Sequence, residues 1–325
     1  MKIEKPKRLR KLPPYLFLEI DKIKKKAIED GLDVGDLGIG DPDMQTLKPV
    51  VDEMARAIRN PEYHRYPLGS GMRDFRNAAA AWFARRFGVQ LDSGSEVLCI
   101  IGSKEGIGHA PLAYIDAGDT VLVPDPGYPV YNAGTIFAGG IPYVMPLLEK
   151  NNFLPDLKVI PPQVLKKAKL MFINYPNNPT SAVAGLDFYR KVVAFAKKHN
   201  IMVCSDAAYS EVYYGGKKPV SFLQVKCAKE VGVECHSLSK TFNMTGWRVG
   251  FCAGNGEMIS LLASVKGNLD SGVFHAIQKA GIKALSLPQN HTDRLRAVYK
   301  RRRDVLSGTV GGRIPKAKIP SLTSL

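Results

Sequence analysis

The sequence lacks any apolar stretch long enough to cross a membrane as a helix, because Lys, Asp, Gly or Pro interrupts every apolar run. Its basic N-terminus also lacks the apolar core of a signal peptide. The few cysteines are odd in number and never occur in CxxC spacing: Cys99, Cys204, Cys227, Cys235 and Cys252. This pattern argues against a disulfide framework or a zinc site, and it favours reduced thiols in a cytoplasmic protein.

Acidic residues are scarce relative to basic ones, at 30 against 46, which gives a net charge of +16. The basic residues come in short bursts at 7–11, 22–26 and 300–303, each near a helical pattern with acids close by. There is no helix-turn-helix, no zinc-finger spacing and no RNP-like aromatic box. We therefore expect a solvated basic surface that attracts anionic metabolites, and neither a nucleic-acid nor a membrane partner.

Helical patterns and short apolar runs alternate along the 325 residues, which is typical of an α/β sheet covered on both faces. The runs at 97–101, 120–123, 170–173 and 201–204 read as buried strands. A helical pattern at 186–199 lies between the last two, as a crossover between parallel strands requires. The length predicts a large core and two domains.

Polar segments follow three of these runs and a further short strand, VEC at 233–235. They read GSKEG from Gly102, NYPNNPT from Asn174, SDAAYSE from Ser205 and HSLSK from His236. Ligands of open α/β sheets bind outside the carboxyl ends of the strands. The four segments therefore predict one shared pocket.

Lys240 lies within a set of groups that suit a phosphate. Ser237, Ser239 and Arg248 offer hydroxyl and guanidinium donors, and Ser103 and Lys104 open a predicted helix whose N-terminus favours an anion. A lysine becomes a nucleophile when its surroundings lower its pKa. An aldehyde cofactor that carries a phosphate would use both features, and pyridoxal 5'-phosphate (PLP) is such a cofactor.

The remaining segments gain roles under this interpretation. Asp206 would keep the pyridine nitrogen protonated, Asn178 and Tyr209 would donate to the phenolate oxygen, and Tyr128 would stack on the ring. Each has a structural alternative: Asp206 can cap a helix, NNPT is a common turn, Tyr128 can be a loop aromatic, and lysines are usually solvated. The order of the whole set favours the cofactor site.

The chain resembles the class I/II aminotransferases, which are PLP enzymes of fold type I, from about Lys7 to about Pro315. The motifs YPLGSG (66–71), DPGYPVY (125–131), NYPNNPT (174–180), DAAYSE (206–211) and HSLSKTFNMTGWRVG (236–250) carry the resemblance. With LPPYLF (12–17), LGIGDPD (37–43) and SGVFHAIQ (271–278), they are most similar to the bacterial LL-diaminopimelate aminotransferases.

The resemblance implies a mostly parallel central sheet with helices on both faces and an incomplete small α+β domain. It divides the chain into an N-terminal segment (1–40), a large PLP-binding domain (41–285) and the start of a truncated small domain (286–325). It also implies a homodimer, in which Tyr66 reaches the cofactor phosphate of the neighbouring subunit.

The implied site residues form three groups and include no metal ligand. Lys240, assisted by Asp206 and Tyr209, would bind the cofactor covalently and move the substrate α-proton. The substrate contacts would be Tyr15, Gly40 and Asn268, the last of which reads equally well as a helix-surface residue. The cofactor contacts would be Tyr66, Ser103, Lys104, Tyr128, Asn178, Asp206, Tyr209, Ser237, Ser239, Lys240 and Arg248.

Two positions depart from the family pattern. Ser181 stands where the motif NNPTG has glycine, so we expect local backbone strain there. The family's arginine for the substrate α-carboxylate lies beyond the point where this sequence stops, and Arg313, expected in a loop, does not match it.

The implied reaction exchanges an amino group between an amino acid, LL-diaminopimelate above all, and 2-oxoglutarate. Three alternatives stay open: an alanine or aspartate aminotransferase, a PLP lyase on the same scaffold, and a truncated PLP-binding protein without activity.

Overall fold

The computed structural model describes residues 1, 3–14, 16–36 and 40–313. Tyr15, a predicted substrate contact, lies outside these residues. The internal contacts separate a unit at Met1–Met44 from a second unit that begins at Gln45. The first unit contains α1 (Lys7–Arg10) and α2 (Leu16–Glu29). The predicted boundaries at 40 and 285 stay predictions.

One seven-stranded sheet forms the centre of the second unit. Its strands are β1 (Val97–Ile100), β2 (Thr120–Asp125), β3 (Ile141–Pro146), β4 (Ala168–Asn174), β5 (Met202–Asp206), β6 (Gly232–Ser237) and β7 (Gly250–Gly254). The order across the sheet is β1-β7-β6-β5-β4-β2-β3, and within it β7 alone runs in the direction opposite to the other strands. The predicted mostly parallel α/β sheet is confirmed.

Helices connect the strands and cover both faces of the sheet. They are α3 (Lys48–Ala57), α4 (Arg73–Phe87), α5 (Ser103–Tyr114), α6 (Pro129–Phe137), α7 (Pro162–Leu165), α8 (Leu186–His199), α9 (Ala228–Val231), α10 (Leu238–Thr241), α11 (Gly256–Leu269), α12 (His275–Ser286) and α13 (Gln289–Arg313). The crossover helix α8 matches its predicted bounds. Arg313 ends α13, so its predicted loop position is wrong. Among the described helices, none is both long and apolar enough to span a bilayer.

Alternate residues of each strand enter two separate cores, because successive side chains of a strand point to opposite faces. Met171 and Ile173 of β4 join the core that contains α4 and α8, whereas Leu170 and Phe172 join the core that contains α5, α6 and α11. Burial on both faces explains why these strands read as continuous apolar runs in the sequence.

Candidate active site

The carboxyl ends of β4, β5 and β6 lie side by side. The register pairs Asn174 with Asp206 and Asp206 with Cys235. The Asn174 side chain connects two of the polar segments: its Nδ2 donates to the Asp206 carbonyl oxygen at 2.9 Å, and its Oδ1 accepts the Asn178 N–H at 2.8 Å. The polar segments after β4 and β5 therefore meet at one edge of the sheet, as expected.

Asp206 is an acid in a nearly dry environment, with 4% of its surface exposed. Its Oδ2 accepts the Tyr131 hydroxyl at 2.8 Å, and its Oδ1 accepts the Ala208 N–H at 3.2 Å. Burial raises the pKa of Asp206 to about 7, although both donors favour the ionised form. A cation close to this carboxylate would reverse the shift, so the position suits a protonated ring nitrogen.

The two predicted phenolate ligands are in contact. The Asn178 side-chain amide donates to the Tyr209 hydroxyl at 3.2 Å, and both side chains are half-buried. Their segments follow β4 and β5, respectively. The fold thus brings together two hydrogen-bonding groups from different segments, and Tyr209 lies in the segment that Asp206 begins.

Lys240 lies on the single turn of α10, directly after β6. The Ser237 hydroxyl begins this turn by accepting the Ser239 N–H at 3.2 Å. The Ser239 hydroxyl is buried and finds no hydrogen-bond partner among the residues that the structure describes. Burying a hydroxyl without a hydrogen-bond partner costs free energy. The Ser239 hydroxyl is therefore suited to donate to a ligand, for example to a phosphate oxygen.

Arg248 approaches the same edge from the other direction, because it precedes the antiparallel strand β7. Its guanidinium donates to the Ile101 carbonyl at 3.1 Å and to the Thr245 carbonyl at 2.9 Å. The side chain is exposed, and its orientation is fixed by these two backbone acceptors. Further donors of the guanidinium remain for an anion, since Arg carries five N–H groups.

The segment between β1 and α5 passes close to Arg248. Gly102 has φ +75°, and a Cβ at that position would lie 2.7 Å from Arg248 Nη2. Ser103 and Lys104 open α5, whose first N–H groups point away from the helix. A helix N-terminus, a guanidinium and the Ser239 hydroxyl are the donors that a phosphate needs.

The remaining predicted residues are more dispersed. Tyr128 caps the N-terminus of α6, where its ring meets the Tyr131 ring edge-on at 6.0 Å between centroids. Tyr66 is 82% exposed. Asn268 is exposed on α11 and donates to the Ser264 carbonyl of its own helix at 2.8 Å. Gly40 is exposed in the first unit.

Two residues of this site were missed by the sequence interpretation. Tyr131 follows Tyr128 by three positions on α6 and therefore shares its face, which was a usable signal. Asn174 ends an apolar strand and resembles an ordinary turn residue. Its hydrogen bonds to the segments after β4 and β5 depend on register, which a single sequence does not reveal.

The fold and this edge of the sheet define an aminotransferase: residues 33–313 match the family Aminotransferase class I and II, and the chain belongs to that family. Members of this family depend on PLP and act on small amino and oxo acids.

Several individual members of the family are similar to this chain. The LL-diaminopimelate aminotransferase of Aquifex aeolicus is 56% identical over 92% of this chain and 78% of its own length. The enzyme of the same name from Syntrophobacter fumaroxidans is 53% identical over 94% of this chain and 79% of its own. Among solved structures, apo-BacF of Bacillus subtilis has a TM-score of 0.94 at 39% identity, covering 100% of this chain and 82% of BacF.

Proposed function

We propose that this aminotransferase binds PLP and transfers the amino group of LL-diaminopimelate to 2-oxoglutarate. The observation that carries the chemistry is the buried Asp206 carboxyl at the strand end next to the segment that holds Lys240. The names of relatives that are 53–56% identical support the amino donor.

The ring of PLP, when bound, withdraws electrons and so stabilises negative charge on the substrate α-carbon. Asp206 would hold the proton of the ring nitrogen, which suits a buried carboxylate whose pKa is raised by desolvation. Asn178 and Tyr209 would donate to the phenolate oxygen, and Tyr128 would pack on the ring face.

The phosphate would bind between the N-terminus of α5 and the segment from Ser237 to Arg248. Arg248 would supply the charge, and the Ser239 hydroxyl would gain the partner that it lacks among the described residues. Ser103, Lys104 and Ser237 complete the proposed ligands.

The Lys240 amine would bind the cofactor covalently and carry the proton between the substrate α-carbon and the cofactor. The substrate contacts Tyr15, Gly40 and Asn268, the homodimer and the cytoplasmic location remain predictions from the sequence.

Absorbance of the purified protein with PLP tests the proposal. We expect a visible band from the lysine-bound cofactor, and titration with LL-diaminopimelate should convert it to the pyridoxamine form. Alanine and aspartate serve as competing donors, and a clear preference for either would replace the diaminopimelate assignment. A stable band that no donor converts would favour the PLP-binding protein without activity.

Lys240→Ala should abolish amino transfer, because no other amine is proposed to move the α-proton. The exposed Lys191→Ala on α8 is the matched control and should leave the rate unchanged. Single-turnover kinetics with circular dichroism as a folding check make the comparison. Turnover by Lys240→Ala at the rate of the control would end the proposal.

A further inference from the structure

Lys266 is a charged side chain in an unusual place, with 1% of its side chain exposed. Its ammonium donates to Glu105 Oε1 at 2.9 Å and to Asp270 Oδ1 at 2.8 Å. Lys266 lies on α11, Asp270 caps that helix, and Glu105 lies in the first turn of α5. Buried ion pairs are costly to form and often add little stability, so this cluster calls for another explanation.

The second oxygen of Glu105 leads towards the proposed phosphate site. Glu105 Oε2 accepts the backbone N–H of Ile101, the residue whose carbonyl accepts the Arg248 guanidinium. Ile101 is therefore held on its N–H side by Glu105 and on its carbonyl side by Arg248. It directly precedes Gly102, where a Cβ would already collide with Arg248.

A metal site is the first alternative for this cluster, since one ligand atom each from Glu105, His109 and Asp270 lies within 4.8 Å of the others. The Lys266 ammonium, however, already contacts both carboxylates. The cluster is an internal ion pair and not an open cation site.

We propose that Glu105, paired with the Lys266 ammonium that Asp270 also holds, is a positioning residue for the phosphate-binding segment at Ile101–Lys104. In this role Glu105 would act through the Ile101 peptide, whose N–H it accepts, and not by contact with the cofactor. The inference rests on the proposed binding of PLP at this edge of the sheet. Its competitor is a local role, in which Glu105 only caps the first turn of α5.

The variant Glu105→Asp shortens the side chain and keeps its negative charge, so it tests the length of the side chain separately from its charge. The shorter carboxylate keeps a negative charge beside Lys266 but cannot span to both Lys266 and the Ile101 N–H. We measure the affinity of the protein for PLP and for pyridoxal, which lacks the phosphate. The affinity for PLP should fall about tenfold, as expected when one charge-assisted hydrogen bond is lost, while that for pyridoxal stays unchanged.

Glu96→Asp is the matched control, because the Glu96 carboxylate has the same kinds of partner. It pairs with Lys229 at 2.8 Å and accepts the Asp92 N–H at 2.9 Å, but it precedes β1, at the opposite end of that strand. This variant should leave the ratio of the two affinities unchanged.

Equal losses for PLP and pyridoxal in Glu105→Asp would overturn the inference in favour of the capping role, and so would no loss at all. If Glu105→Asp does not fold, Asp270→Asn takes its place, with a smaller loss for PLP alone expected and an unchanged ratio contradicting the inference. Failure of the unaltered protein to bind either compound would instead contradict the proposed function.

Discussion

Asp206 differs from a free aspartate more than any other carboxyl discussed above. Burial raises its pKa from 3.8 to about 7, so the folded protein retains a proton that the unfolded chain releases near pH 4. The stabilisation from this proton is complete below pH 4 and is lost as the pH rises to about 7.

The cofactor-free protein should therefore lose on the order of 4 kcal/mol of unfolding free energy between pH 4 and pH 7 relative to Asp206→Asn. The asparagine can still accept the Tyr131 hydroxyl but does not titrate. Urea denaturation of both proteins at several pH values checks this difference. Parallel pH profiles would show that Asp206 ionises normally in the folded state.

Ser181 adopts the positive φ that the family's glycine at this position would favour. It adopts φ +58°, and its N–H donates to the Asn177 carbonyl at 2.8 Å. We compare Ser181→Gly with Ser181→Ala, because both remove the hydroxyl and only alanine keeps a Cβ in the left-handed region. The glycine variant should be more stable by about 1 kcal/mol in chemical denaturation. Equal stabilities would indicate that the surrounding turn carries no strain.

At the scale of elements, the junction between β1 and α5 depends on the absence of a side chain. Gly102→Ala would place a Cβ 2.7 Å from Arg248 Nη2 at a residue with φ +75°. We expect the guanidinium to move and the affinity for PLP to fall about tenfold or more. Equilibrium titration of the visible band measures this loss.

Gly88→Ala provides the control for backbone strain alone. Gly88 has φ +69° at the end of α4, and a Cβ there meets nothing within 4 Å. This variant should lose about 1 kcal/mol of stability and keep its affinity for PLP. A comparable loss of affinity in both variants would contradict the role given to Arg248.

The elements also show what the sequence can reveal. Strands buried on both faces leave continuous apolar runs, and their polar ends mark the site, so β4, β5 and the residues from Asp206 to Tyr209 were predictable. The Lys266 cluster was not. A lysine on a helix reads as solvated unless its partners are known, and Glu105 lies 161 positions away in the sequence.

At the scale of the whole molecule, the prediction that Tyr66 serves a neighbouring subunit can be tested by mixing inactive variants. Lys240→Ala and Tyr66→Ala are unfolded and refolded together. If Tyr66 acts across a dimer, one site of each mixed dimer has both residues intact, and random pairing restores about a quarter of the wild-type sites.

Activity of the refolded mixture, compared with each variant refolded alone, measures the restoration. Tyr66 is 82% exposed in the isolated chain, which leaves it available to a partner. If Tyr66 acted within its own chain, the mixture would be no more active than the average of its components.

The antiparallel direction of β7 limits which insertions and deletions this protein can tolerate. Because β6 ends and β7 begins at the same edge of the sheet, Lys240 and Arg248 belong to one hairpin connection. The length of that connection sets the distance between the amine and the guanidinium. An insertion or deletion in this connection would change the distance between the Lys240 amine and the Arg248 guanidinium. A change in the length of the turn between α8 and β5 would not have this effect. The spacing of the motif is thus a constraint on mutation, imposed by a single antiparallel strand.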